Sequence, residues 1–114
     1  PVMLLKEALT RPQGIVRSQA GQEAVDQACK GLALYQYKTC PFCIKVRQEM
    51  RRLSLTVAKV DAQPEGPDRA ALVQQGGQAK VPCLKITDKT GNSRWIYDSK
   101  EIISYLRSQF AQVT

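Results

Sequence analysis

An α/β fold, in which a small mixed sheet carries helices on both faces, is predicted by three features of this sequence. Residues 32–61 read as strand, helix and strand in succession. Residues 81–97 read as a β-hairpin turning at Asp88-Lys89-Thr90-Gly91-Asn92, and a helix opens behind it at Asp98-Ser99. A Cys-x-x-Cys pair, Cys40 and Cys43, falls where the first strand gives way to its helix.

The chain has 114 residues, enough for one domain with a single core, and its 43% apolar and 24% charged composition is that of a globular chain. The predicted division is an N-terminal extension with a short helix, residues 1–31, followed by the α/β domain, residues 32–114. In the extension, the apolar Val2-Met3-Leu4-Leu5 precedes Arg11-Pro12-Gln13-Gly14, which breaks any helix. Ala20, Ala24, Val25 and Ala28 then space an amphipathic helix over residues 18–30, closed by Gly31.

Within the domain, residues 32–37 form the first predicted strand, and the apolar spacing of residues 44–53 gives the helix behind the cysteines. Pro41 lacks a backbone donor, but the first helical position needs none, so Pro41 opens that helix. Residues 55–61, rich in β-branched side chains, are the second strand, with a right-handed crossover expected. A loop at Gln63-Pro64-Glu65-Gly66-Pro67 leads to a helix over residues 68–75, ended by Gly76-Gly77. Residues 81–87 and 93–97 pair as the hairpin, and the last helix runs over residues 98–109. There is no internal repeat, no low-complexity segment and no linker that would divide the domain.

Cys40 is thereby placed at a helix N-terminus and Cys43 one turn further in. Unpaired backbone N–H groups and the positive end of the helix dipole favour a thiolate there, and thiols so placed have pKa values lowered to roughly 3.5–7.5. Cys40 is the expected nucleophile. Cys43 is close enough to form a disulfide with it and is the expected resolving thiol. A structural zinc site would need Cys29 and Cys83 as well, and the lopsided spacing, the single CxxC and the lack of any histidine argue against it. No bound metal is expected. Cys29 reads as a small core residue, and Cys83 as a core residue of its strand, with a third redox thiol as the alternative.

A net charge of +7 favours anionic partners. Nucleic acid is not expected, because the basic residues are dispersed and the aromatics are not interleaved with them. The densest basic run, Lys45, Arg47, Arg51 and Arg52, reads as a solvated helix face. Four cysteines without an even framework point to a reducing, cytoplasmic setting. No transmembrane-length stretch or signal peptide is visible, yet the chain opens at Pro1 and leaves an upstream membrane anchor conceivable.

The order βαβ, helix, hairpin, helix is the thioredoxin-type arrangement. Leu34-Tyr35-Gln36-Tyr37-Lys38-Thr39-Cys40-Pro41-Phe42-Cys43, with Lys80-Val81-Pro82 and Asp98-Ser99 downstream, resembles the glutaredoxins. It resembles even more closely the glutaredoxin-like N-terminal domain of glutathione transferases and of the membrane-associated prostaglandin E synthases. The likeness covers about residues 32–108.

That resemblance implies a monomeric, glutathione-dependent thiol–disulfide oxidoreductase acting on disulfide or glutathionylated protein substrates. Pro82 would be a cis-proline facing the CxxC, with the Val81 backbone pairing to the cysteinyl part of glutathione. Asp98 and Ser99 would hold the γ-glutamyl end, Lys38 or Lys80 the glycyl carboxylate, and Phe42 would flank the thiols. Taken alone, Asp98 with Glu101 is also a plain capping box. The sequence departs from the glutaredoxin pattern at Tyr37, Phe42, Lys80 and Ile96-Tyr97, where Lys or Arg, Tyr, Thr and Gly-Gly are usual. The alternatives are a transferase- or isomerase-like domain, disfavoured because no all-helical second domain follows, and a cluster-binding module.

Overall fold

The structure, a computed structural model, describes residues 14–114. The apolar stretch Val2–Leu5 and the break at Arg11-Pro12-Gln13 lie outside those residues. In order, the elements are α1 (Gln19–Cys29), β1 (Leu32–Gln36), α2 (Pro41–Arg52), β2 (Ala58–Asp61), α3 (Pro67–Gln74), β3 (Cys83–Thr87), β4 (Ser93–Tyr97) and α4 (Ser99–Phe110).

The strands form one four-stranded sheet in the order β2-β1-β3-β4. β1 runs parallel to β2 and antiparallel to β3, while β3 and β4 make the hairpin. The period-2 alternation of the strands sorts side chains onto the two faces. Leu34 and Leu84, paired across β1 and β3, belong to the larger core with Val46 and Met50 of α2 and Ile102 and Leu106 of α4. Tyr35 and Cys83, the next pair along, belong to the smaller core under α3 with Leu72. Burying side chains such as Leu34, Leu84, Ile102 and Leu106 completely contributes roughly 1.5–3 kcal/mol each. The Tyr35 and Trp95 rings meet at a centroid distance of 5.0 Å on the smaller-core side.

Helix α1 joins the larger core through Val25 and Cys29. Its N-cap Ser18 accepts a hydrogen bond from the Gly21 N–H at 3.1 Å. Arg17 donates to the carbonyls of Phe110 and Val113, at 2.9 and 3.0 Å, and the Ser18 N–H donates to that of Thr114 at 2.7 Å. The beginning of the described chain is therefore tied to its end.

Three strand limits differ from the sequence reading. β1 stops at Gln36, because Tyr37 starts the turn in which its carbonyl accepts from the Cys40 N–H at 3.3 Å. β2 begins at Ala58 and not at residue 55. Ser54 has φ 54°, and the Leu55 N–H bonds back to the Met50 carbonyl at 2.9 Å, so residues 54–57 only lead the chain from α2 to the sheet. β3 begins at Cys83, two residues late, since Val81-Pro82 is a cis peptide preceding the first paired residue.

Candidate active site

Helix α2 starts where its sequence says it should. Pro41 takes the first helical position, Cys40 is the N-cap with φ −70° and ψ 125°, and no side chain caps the open N–H groups. The loop carrying Cys40 is fastened from behind by Arg47, which donates to the Lys38 carbonyl and to the Gln36 side-chain oxygen, both at 2.7 Å. All four cysteines are free thiols, and Cys40 alone of them is partly exposed.

Cys43 is fully buried. Burial pushes its thiol up to about 12, the Tyr37 backbone N–H pulls the other way, and contact with the Cys40 sulfur raises it further. Cys43 therefore remains S–H at neutral pH, in contact with the Cys40 sulfur.

Phe42, between the two cysteines in sequence, borders a groove of about 690 Å³ whose lining includes Lys80, Val81, Pro82, Asp98 and Ser99 but neither Cys40 nor Cys43. Its size is within the range of small-molecule sites, roughly 300–1,000 Å³. Three separate stretches of sequence thus converge: the start of α2 at Pro41, the cis Val81-Pro82 peptide ahead of β3, and the start of α4 at Ser99. Lys38 is exposed on the Cys40 loop and does not line the groove, whereas Lys80 does.

Asp98 adopts φ 78° and ψ 122° as N-cap of α4, and its carboxylate accepts from the Lys100 N–H at 3.1 Å. The cap bond thus goes to Lys100 and not to the backbone of Glu101. Asp98 keeps an exposed carboxylate at the groove, with Ser99 buried beside it.

Sequence reasoning missed Lys45, Gln78, Tyr97, Lys100 and Ile103, which also line the groove. The Lys45 ammonium lies 5.6 Å from the centroid of the Phe42 ring. The Tyr97 hydroxyl accepts from the Gln78 N–H at 3.2 Å and lies 3.0 Å from its carbonyl and 3.3 Å from that of Leu72. Tyr97 thereby secures the segment that carries Lys80 and Val81. A local signal was present, because Tyr97 stands where Gly-Gly is usual, but its hydroxyl contacts depend on the tertiary fold.

Cys83 is a core residue, fully buried among Tyr35, Ala62 and Leu72. Burial pushes its thiol up to about 11, while a hydrogen bond with Tyr97 lowers it. Among the described residues no group of three or more His, Cys, Asp or Glu side chains could hold a metal ion.

A CxxC pair at the N-terminus of the helix that follows the first strand, on a mixed four-stranded sheet with helices on both faces, defines a thioredoxin-like domain. Residues 34–114 match the family described as glutathione S-transferase, N-terminal domain, and the chain belongs to that family.

Prostaglandin E synthase 2 of Mus musculus is 38% identical over 77 residues, which is 68% of this chain and 19% of that protein. The chain thus spans about a fifth of that relative. Among solved structures, maleylacetoacetate isomerase from Anaeromyxobacter dehalogenans, with bound dicarboxyethyl glutathione and citrate, superposes with a TM-score of 0.52 at 22% identity. That match covers 71% of this chain and 37% of the isomerase. Wheat glutaredoxin gives 0.50 at 22% identity, covering 78% of this chain and 79% of the glutaredoxin. These two likenesses show the fold.

Proposed function

We propose that the domain carries out glutathione-dependent thiol–disulfide exchange with Cys40 as its nucleophile. The observation that carries the reading is the Cys40 sulfur itself: partly exposed, at an uncapped helix N-terminus, in contact with a Cys43 thiol that burial keeps protonated. Glutathione as the co-substrate is supported by the family and by the groove. Asp98 offers a carboxylate for its ammonium, Ser99 and the α4 N–H groups face its α-carboxylate, and Lys80, with Lys38 nearby on the loop, suits the glycyl carboxylate. The Val81 backbone, just outside the β3 ladder, and the Phe42 side chain complete the site.

In the first step the Cys40 thiolate attacks the glutathionyl sulfur of a mixed disulfide. A sulfur–sulfur bond forms to Cys40, the original one breaks, and the partner leaves as a thiolate that takes a proton from water. A second glutathione thiolate then attacks the Cys40-bound glutathionyl sulfur, releasing glutathione disulfide and restoring Cys40. The partner thiol is reduced and glutathione is oxidised. With a protein disulfide, the Cys43 sulfur attacks the Cys40 mixed disulfide and closes the Cys40–Cys43 bond, the protein sulfur leaves as a thiolate that takes up a proton, and two glutathiones then reduce the Cys40–Cys43 bond to give glutathione disulfide.

The second reading is transferase- or isomerase-type chemistry by the same thiol and glutathione. It is favoured by the family match and by the 38% identity to prostaglandin E synthase 2.

The test is turnover of the glutathione mixed disulfide of 2-mercaptoethanol, coupled to glutathione reductase. Wild type and Cys43→Ser are expected to turn over, and Cys40→Ser to lose at least 100-fold, the scale of removing a nucleophile. Activity that survives in Cys40→Ser overturns the assignment. A wild type that is inactive here but conjugates glutathione to an electrophile establishes the second reading.

A further inference from the structure

The groove holds more positive charge than glutathione can match. Lys45, Lys80 and Lys100 line it, and Asp98 is the acidic residue among its lining. Among the described residues no carboxylate forms an ion pair with any of these three ammonium groups. Glutathione at neutral pH brings two carboxylates and one ammonium. Setting that ammonium against Asp98 and the carboxylates against two lysines leaves one lysine over.

The position of Lys45 identifies it as the surplus. Lys80 precedes the cis peptide, where the glutathione reading sets the glycyl carboxylate, and Lys100 stands in the first turn of α4, beside the N–H groups that the same reading sets against the α-carboxylate. Lys45 instead lies on α2, the helix of the thiols. Its ammonium is held at 5.6 Å from the ring of Phe42, which is 55% exposed and stands two residues beyond Cys40. The thiol displaced when Cys40 attacks the glutathionyl sulfur departs next to the start of α2, which carries this cation and this exposed ring.

Resting on the glutathione-exchange reading, we infer that the preferred disulfide partner is an acidic thiol, with a carboxylate within a few bonds of the leaving sulfur. Lys45 is its specificity determinant. The carboxylate is that of a small acidic thiol or of an acidic segment around a glutathionylated protein cysteine.

The test compares glutathione mixed disulfides of three leaving thiols of similar size: 3-mercaptopropionate, 2-mercaptoethanol and cysteamine, which are anionic, neutral and cationic. Each kcat/KM is divided by the rate of uncatalysed exchange of the same disulfide with glutathione, which removes the effect of leaving-group pKa. The expected order is anionic over neutral over cationic. Steps should be about twofold to fivefold at low salt, the scale of one exposed ion pair, and should flatten at 1 M salt, where the Debye length is about 3 Å.

Lys45→Gln should compress the anionic-to-cationic ratio towards unity. A flat order in the wild type overturns the inference while leaving glutathione exchange standing. An order unchanged in Lys45→Gln overturns the role of Lys45. Absence of turnover with all three disulfides overturns the exchange reading, and this inference with it. Glutathionylated peptides with Glu or Gln flanking the cysteine separate the sources: a Glu preference assigns acidic protein segments, and a preference confined to 3-mercaptopropionate assigns small thiols.

Discussion

Cys40 and Cys43 are three residues apart and chemically dissimilar, because a single helical turn carries the chain from a partly exposed N-cap into the core. The same contrast separates Cys40 from Cys29 and Cys83, both fully buried. Iodoacetamide under native conditions is therefore expected to modify Cys40 at least 10-fold faster than the other three, as read by peptide mass spectrometry, with the difference vanishing in urea. Equal labelling of Cys43 in the folded protein would contradict its burial. The Cys40 position was legible in the sequence, since a strand end, a proline and a helix start are local signals. The exposure of Phe42 and the approach of Lys45 to its ring were not, because neither is fixed by local pattern.

At the scale of elements, α2 and α4 are joined by a polar clasp on the flank of the larger core. Glu49 of α2, nearly buried, is held by Arg52 on its own helix and by Arg107 of α4, whose guanidinium nitrogens donate to both carboxylate oxygens at 3.0 and 3.1 Å. Burial pushes the Glu49 carboxyl up, but hydrogen bonds from Arg52 and Arg107 outweigh it and hold the carboxyl below its ordinary value. A depressed carboxyl stabilises the fold above its unfolded-state pKa, and that stability is lost as pH falls through the folded value.

Glu49→Gln is thus expected to lower unfolding free energy by about 1–3 kcal/mol at pH 7, the scale of hydrogen bonds to a charged group. The deficit should shrink below pH 4 in urea titrations, and a deficit independent of pH would dismiss the clasp. Of the element limits, those near caps were readable: Ser18, Pro41 and Asp98 fall within a residue of a helix start, and Gly76-Gly77 stand two and three residues past the end of α3. The early start given to β2 was misread because the alternation in residues 55–57 serves burial of Val57 in the core, without ladder pairing.

For the whole molecule, the sheet order places β1 and β3 at the centre, so the loop behind β1 and the approach to β3 are adjacent by construction. That adjacency, with the start of α4 completing the wall, makes the groove. The sequence shows the three pieces, and only pairing shows that Lys80 joins them while Lys38 does not.

Three buried thiols also share a pH response. Cys29 in the larger core, Cys83 in the smaller one and Cys43 on α2 are all raised above their ordinary value near 9, chiefly by burial. A thiol raised in the folded state binds its proton more tightly there than in the unfolded chain. Its contribution is complete below pH 9 and is lost as pH rises from there through the folded values, about 11 for Cys83 and about 12 for Cys43. Unfolding free energy should fall between pH 9 and 11 by up to about 1.4 kcal/mol per pH unit for each such thiol. Cys83→Ala should show a shallower decline in urea midpoints, and an unchanged slope would remove Cys83 from the account.

Arg17 and Ser18 grip the carbonyls of Phe110, Val113 and Thr114, so the two ends of the described residues meet at one spot. The groove is assembled from other parts of the fold: the start of α2, the segment ahead of β3 and the start of α4. The described residues thus close into a loop, a shape that allows the chain to be re-cut at a surface turn such as residues 88–92 without rerouting any strand.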